Sequence, residues 1–325
     1  MDTISSVVTG TGHYLPENIV PNSYFEEYID TSDEWITTRT GIKTRHYAPT
    51  EETTSTMGIK AARKALENSA CKPEDIDLII LATSTSDHTF PSTATQIQNG
   101  LGISQGYAFD IQAVCAGFVF ALANANALIK SGEATKALVI GSETFSRILD
   151  KNDRTTCILF GDGAGAVVLE GAKTTNGTSE RGILATDLHS DGSYKDILYV
   201  DGGVSTTKTS GHLRMKGKEV FRHAVSKLVN STERVMEKAN VNSNEVDWAV
   251  PHQANVRIIQ STTQKLKIPI EKVVVTLRNH GNTSAASIPI SMSIANEEGK
   301  FKKGDLILSH AIGGGLCWGS FLLRW

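Results

Sequence analysis

The chain has 325 residues, 40% hydrophobic and 21% charged, a balance that excludes a disordered or fibrous protein. At ~150 residues per domain, this length suits about two domains or one large double unit, with a core that needs no staples. The net charge of −3 argues against general nucleic-acid binding, which draws on a basic excess.

The opening MDTISSVVTG has no positive start followed by an apolar run, so it reads as lacking a secretory leader. Ile59, Ala62 and Leu66 recur at helical spacing. LIILATS (78–84) is a continuous apolar run, the pattern of a strand buried on both faces, and YAFDI (107–111) reads as a strand. The most apolar stretch, 114–129, carries Asn124 and Asn126 and falls short of the ~18 apolar residues of a membrane span. It reads as a buried core helix stopped at Ser131-Gly132. ALVIG (137–141), CILF (157–160) and VVLE (167–170) follow as strands.

The second half repeats these patterns. VDWAV (246–250) resembles IDLII (76–80), and GDLIL (304–308) parallels 137–140. FGDGAG (160–165) before one apolar strand resembles IGGG (312–315) before another at 318–323. Three matches in one order indicate two related halves joined in the polar, turn-rich GAKTTNGTSE (171–180). We divide them as 1–175 and 176–325. Long helical segments between buried strands predict a layered α/β architecture.

The four cysteines, Cys71, Cys115, Cys157 and Cys317, form no CxxC pair. Zinc-site spacing is absent and nothing demands disulfides, which fits a reduced, cytoplasmic chain. Cys115 stands between strand 107–111 and the core helix, where unpaired N–H groups and the helix dipole favour a thiolate. Ala113, Ala116 and Gly117 leave room for a substrate beside it. A buried cysteine is also a common small hydrophobe. The other three lack this setting and read as structural, although Cys317 follows Gly313-Gly314-Gly315.

His252, in VPHQAN (250–255), projects from a strand end, where α/β folds place their chemistry. Asn282, in RNHGNTSAAS (278–287), lies on a small-residue loop entering a helix, with His280 as the rival imidazole. Gly313-Gly314-Gly315 brings backbone N–H groups close to a ligand; one of them and the Cys115 N–H would make an oxyanion hole. A plain tight turn explains the glycines equally. GDGAGA (161–166) fits G-x-G-x-x-A, but that fingerprint needs a following helix and VVLE is a strand pattern.

These residues resemble the β-ketoacyl-acyl-carrier-protein synthase III family over nearly the whole chain. The likeness runs through Thr9-Gly10-Thr11-Gly12, Asp33-Glu34-Trp35-Ile36, Thr38-Arg39-Thr40-Gly41-Ile42 and Phe90-Pro91-Ser92. It continues through Cys115-Ala116-Gly117-Phe118, Pro251-His252-Gln253-Ala254-Asn255, His280-Gly281-Asn282-Thr283-Ser284 and Gly313-Gly314-Gly315 with Trp318-Gly319-Ser320.

The resemblance implies a thiolase-like fold: two similar halves in an αβαβα arrangement, each with a mixed five-stranded sheet, assembled as a homodimer. It implies an acyltransferase with neither metal nor cofactor, condensing an acyl-CoA primer, acetyl-CoA first, with malonyl-acyl-carrier protein to initiate fatty-acid synthesis. Cys115 would carry the acyl group, His252 and Asn282 would stabilise the malonyl enolate, and the N–H groups of Cys115 and Gly315 would form the oxyanion hole. Asn at 282, where elongating synthases carry a second His, implies the initiating class. Trp35, Arg39 and Arg154 would line the CoA entrance, and Phe90 of the partner subunit would close the acyl pocket. Ile312 stands where some relatives carry a bulkier aromatic residue. Lys208, Arg214, Lys216, Lys218, Arg222 and Lys227, against the single acid Glu219, form a basic stretch. Arg222 and Arg257 would dock the acidic carrier protein. The rival readings are acyl transfer to oxygen or nitrogen, a starter step of secondary metabolism, and a non-catalytic scaffold on the same fold.

Overall fold

Leu78–Ala82 is buried along its whole length, and its side chains alternate between two apolar layers. Leu78, Ile80 and Ala82 meet Phe118 and Leu122 in an inner cluster, whereas Ile79 and Leu81 meet Met57, Ala61 and Ile97 in an outer one. A strand covered on both faces has no polar side, so its sequence shows no alternation. The computed structural model describes residues 3–174 and 181–325, and the boundary between 175 and 176 lies outside them.

Leu78–Ala82 runs parallel to Tyr107–Ile111 on one side and to Lys136–Glu143 on the other. Gly163–Thr174 joins Lys136–Glu143 antiparallel, and Thr3–Tyr14 completes five strands. The second sheet follows the same plan. Trp248–Ala249 lies parallel to Leu306–Gly313, which pairs antiparallel with Cys317–Arg324, which pairs antiparallel with Gly182–Ser190. This sheet has four strands; the fifth position is reduced to one parallel bridge between Ala249 and Val273. Matching pairings in matching order are the structural form of the internal repeat.

Between the sheets lie the helices Gly117–Ser131 and Ser287–Glu297, which supply Phe118, Leu122, Ile288 and Met292 to the inner cluster. Thr54–Ser69 covers the outside of the first sheet, and Gly217–Ala239 covers that of the second. The result is the five-layered mixed α/β fold. By length and composition Val114–Ser131 would pass for a membrane span, yet 56% of it is buried within the fold. Gly132, at φ +83°, ends the helix in the left-handed conformation expected of a C-terminal glycine.

One expected strand is absent. Residues 157–160 form a turn, held by the Cys157 and Leu159 N–H groups on the carbonyls of Asp153 and Thr156. Their apolar character serves another end: Cys157 and Ile158 pack on Val20, Phe25 and Ile36. Gly141 lets the layers meet closely, since a Cβ there would stand 2.4 Å from the Ala285 carbonyl oxygen. This contact seats the 284–286 turn against the first sheet.

Candidate active site

Cys115 lies in a one-turn 3-10 segment, Val114–Ala116, that leads directly into Gly117–Ser131. The second half repeats the device with Ser284–Ala286 ahead of Ser287–Glu297. Val114 and Ser284 both sit at φ +50°, a conformation unusual for a residue with a side chain, above all a β-branched one. The two turns pack against each other. Cys115 is only 4% exposed, and burial pushes its thiol up to about 12, partly opposed by the Ser284 hydroxyl. Burial at this depth acts against the thiolate that the helix end was expected to favour.

His252 and Asn282 line the same cavity as Cys115, with a volume of about 260 Å³. The His252 Nδ1 lies 2.6 Å from the Ser287 Oγ, which also accepts the Gln253 N–H at 3.3 Å. With the Ser287 proton donated to Nδ1, the ring proton would reside on Nε2. Burial lowers the His252 pKa to about 3, so the ring is neutral. The Asn282 Oδ1 accepts the Ser284 N–H at 2.8 Å, leaving its amide NH₂ for the cavity. The Asn282 backbone is clamped by the Leu159 carbonyl at 2.9 Å and the Gly161 N–H at 3.0 Å. His280 has both ring nitrogens engaged, on the Gly281 carbonyl at 2.9 Å and the Thr276 hydroxyl at 2.7 Å, and does not line the cavity.

Gly315 is not among the cavity-lining residues. Two residues before it, Gly313 abuts Cys115: a Cβ there would stand 2.6 Å from the Cys115 nitrogen and 2.8 Å from the Ala113 carbonyl oxygen. Ile312, on the same strand end, does line the cavity, and Phe90 does not; it is 84% exposed. Cys317 lies outside the lining, half-buried at the start of Cys317–Arg324.

Trp35, Arg39 and Arg154 line the cavity mouth. The Ser32 hydroxyl caps helix Asp33–Thr40 by accepting the Trp35 N–H at 3.1 Å. The guanidinium carbons of Arg39 and Arg154 lie 4.3 and 4.8 Å from the Trp35 ring centre. This gathers two cations against one aromatic ring at the cavity. Arg222 and Arg257 are exposed and do not line the cavity; in sequence they adjoin the lining residues Phe221 and Ile258. The basic stretch itself is thinner than its sequence suggests. Arg214 is paired with Asp150 at 2.9 Å and Asp201 at 2.7 Å. The Lys227 ammonium sits 3.9 Å from the Trp318 ring centre.

Sequence reading did not single out Ser287, Ser284 or Glu143, nor the apolar lining from Phe160, Leu198, Met215 and Val220. Ser284 and Ser287 sat inside the quoted 278–287 run, but no spacing marked them.

Models of the 3-oxoacyl-[acyl-carrier-protein (ACP)] synthase III family match residues 109–192, and their C-terminal counterpart matches 236–325. The β-ketoacyl-[acyl-carrier-protein] synthase III of Cereibacter sphaeroides is 59% identical over 323 residues, covering 99% of this chain and 100% of that protein. The crystal structure of 3-oxoacyl-[acyl-carrier-protein] synthase III from Aquifex aeolicus VF5 superposes with a TM-score of 0.92 at 50% identity. It covers 98% of this chain and 100% of that one. The priming β-ketosynthase of the R1128 polyketide biosynthetic pathway also reaches 0.92, at 34% identity, covering 99% and 96%. A thiolase-fold condensing acyltransferase is the class these findings define. The chain belongs to the β-ketoacyl-[acyl-carrier-protein] synthase III family, whose condensing function lies in fatty-acid synthesis.

Proposed function

We propose that the chain primes fatty-acid synthesis by moving an acyl group from acyl-CoA, acetyl-CoA first, to Cys115 and condensing it with malonyl-acyl-carrier protein. The observation that carries this reading is one cavity shared by Cys115, His252 and Asn282, with Trp35, Arg39 and Arg154 at its mouth. Cys115 attacks the thioester and CoA leaves. Malonyl-acyl-carrier protein then enters, guided by Arg222 and Arg257, and its carboxylate departs as CO₂. The electron pair left behind becomes an enolate, whose oxygen receives hydrogen bonds from the His252 Nε2–H and the Asn282 amide. A neutral imidazole suits this task, because the step needs donors and no base. The enolate carbon attacks the acyl carbonyl on Cys115, and the N–H groups of Cys115 and Gly315 hold the oxyanion. Ile312 bounds the primer's alkyl end.

The charge is held throughout by hydrogen bonds, so the reaction calls for no metal or resident cofactor. Tyr107–Ile111 ends the first sheet as an edge strand with Tyr107 exposed, and Phe90 stands exposed nearby in sequence. An uncovered edge beside exposed aromatics supports a homodimer, in which Phe90 of the partner subunit closes the acyl pocket. We keep the two halves as 1–175 and 176–325. Four free cysteines suit the reducing cytoplasm.

The likeness to a priming ketosynthase of a polyketide pathway favours one second reading, in which the same site loads a starter unit for secondary metabolism. Purified protein given acetyl-CoA and malonyl-acyl-carrier protein is expected to release CO₂ and form acetoacetyl-carrier protein. No product, with Cys115 unacylated, would overturn the first reading; product only with a non-fatty-acid carrier protein would favour the second.

A further inference from the structure

Glu143 is fully buried at the end of Lys136–Glu143, and the condensation as derived gives it no part. Its Oε2 is saturated by the Thr83 hydroxyl at 3.2 Å, the Ser84 N–H at 3.1 Å and the Thr85 hydroxyl at 2.6 Å. Its Oε1 has no hydrogen-bond partner, and neither has the equally buried Ser284 Oγ. Buried polar atoms are rarely left so, because each forfeits its water without recompense. The Ser284 turn packs on both the Cys115 turn and the strand that carries Glu143. Its hydroxyl acts on both groups, lowering the proton affinity of the Cys115 thiol and of the Glu143 carboxyl. No hydrogen bond closes to either in this resting geometry.

We propose that Ser284 and Glu143 form a proton relay behind Cys115, storing the thiol proton while the cysteine carries an acyl group. In acylation the Cys115 proton passes to the Ser284 oxygen as the Ser284 proton passes to the Glu143 Oε1. The sulfur bonds to the thioester carbonyl carbon. The carbon–sulfur bond to CoA breaks, its electron pair leaves on the CoA sulfur, and that sulfur takes a proton from solvent. In condensation the new carbon–carbon bond forms and the Cys115 sulfur–carbon bond breaks. The pair returns to the sulfur, and the stored proton travels back from Glu143 through Ser284. One solvent proton is consumed per cycle and ends on CoA, which balances the loss of CO₂ from a carboxylate.

The neighbouring groups are graded for this division of labour. Burial lowers His252 to about 3, which makes it a poor proton acceptor, and raises Glu143 to about 7, where a carboxylate both takes and returns a proton near neutrality.

The inference rests on Cys115 being the acylated nucleophile, and the test separates the two ideas. The rate at which acetyl-CoA adds acetyl mass to the intact protein is measured for wild type, Glu143→Gln, Glu143→Asp, Ser284→Ala and the Glu143→Gln/Ser284→Ala double variant. Glu143→Gln keeps an acceptor for Thr83, Ser84 and Thr85 but takes no proton. The expected result is a loss of roughly 100-fold or more in Glu143→Gln and Ser284→Ala, at unchanged half-saturation by acetyl-CoA. Glu143→Asp stays within about tenfold of wild type, and the double variant is no slower than the slower single one, as expected of parts of one relay. Wild-type rates in a folded Glu143→Gln or Ser284→Ala would overturn the relay. Should Glu143→Gln not fold, Ser284→Ala decides by the same criterion. A wild type that gains no acyl mass would defeat the Cys115 reading instead.

Discussion

His252, His280 and His310 are buried, and burial lowers them to about 3, 4 and 4. Unfolded, each takes a proton near pH 6.5; folded, each stays neutral down to pH 3–4. The unfolded chain therefore binds more protons between those limits, and this contribution to stability is complete above pH 6.5 and lost on acidification. Glu143 and Asp162 oppose it, since burial raises them to about 7 and 6 and they bind protons in the folded state first. His13 and His46, also lowered by burial, act with the three histidines, and Asp110, raised by burial, acts with the two acids, so the unfolded chain binds the more protons between pH 6 and 4. Denaturant titrations across that range are expected to show stability falling as pH falls; a flat or rising profile would contradict this burial. At this scale Cys115, His252 and Asn282 were legible, because each lies at an element boundary visible in the sequence. Glu143 was not, since it ends an apolar strand in Gly141-Ser142-Glu143 and only the fold brings that strand and the Cys115 turn against the same 284–286 turn.

The elements were read well where burial is continuous and poorly where an apolar run has another cause. The strand Leu78–Ala82, within the expected 78–84, was found because helices cover both its faces, and the helix ending at Ser131 because most of its surface is apolar and buried, with Asn124, Ala127 and Lys130 exposed. Residues 157–160 were misread because an apolar turn beneath the cavity has the same composition as a strand. Trp248–Ala249 is shorter than the expected 246–250, and after Val250 comes Pro251, which lacks an N–H. Gly313 illustrates a contact that no periodicity reveals. Both atoms nearest a Cβ at that position are backbone, the Cys115 nitrogen and the Ala113 oxygen, and neither yields without moving the nucleophile's turn. Gly313→Ala is expected to lower the melting temperature by several degrees and to slow Cys115 acylation at least tenfold. Unaltered values in calorimetry and in the acylation rate would mean that the turn gives way freely.

At the scale of the whole molecule, the site exists because two repeats face each other. The first supplies Cys115 at the mouth of one central helix, and the second supplies His252 from a strand end and Asn282 from the loop before the other central helix. The repeat was visible as three ordered sequence matches, but the closeness of its parts was not. That closeness depends on Gly141 and Gly313, where backbones meet without a side chain between them. The second sheet's single-bridge edge at Val273 was also unforeseen, since one hydrogen-bonded contact leaves no pattern in sequence.

In the proposed reaction the facing repeats divide the labour: the first half would take the acyl group and the second would stabilise the enolate. Intact-protein mass after mixing with acetyl-CoA, alongside condensation rates, for wild type, Cys115→Ala, His252→Ala and Asn282→Ala tests this most directly. Acetyl mass should appear on wild type and on both second-half variants but not on Cys115→Ala, while condensation falls roughly 100- to 1,000-fold in His252→Ala and Asn282→Ala. Acetyl mass on Cys115→Ala, or full condensation without His252 and Asn282, would contradict the account.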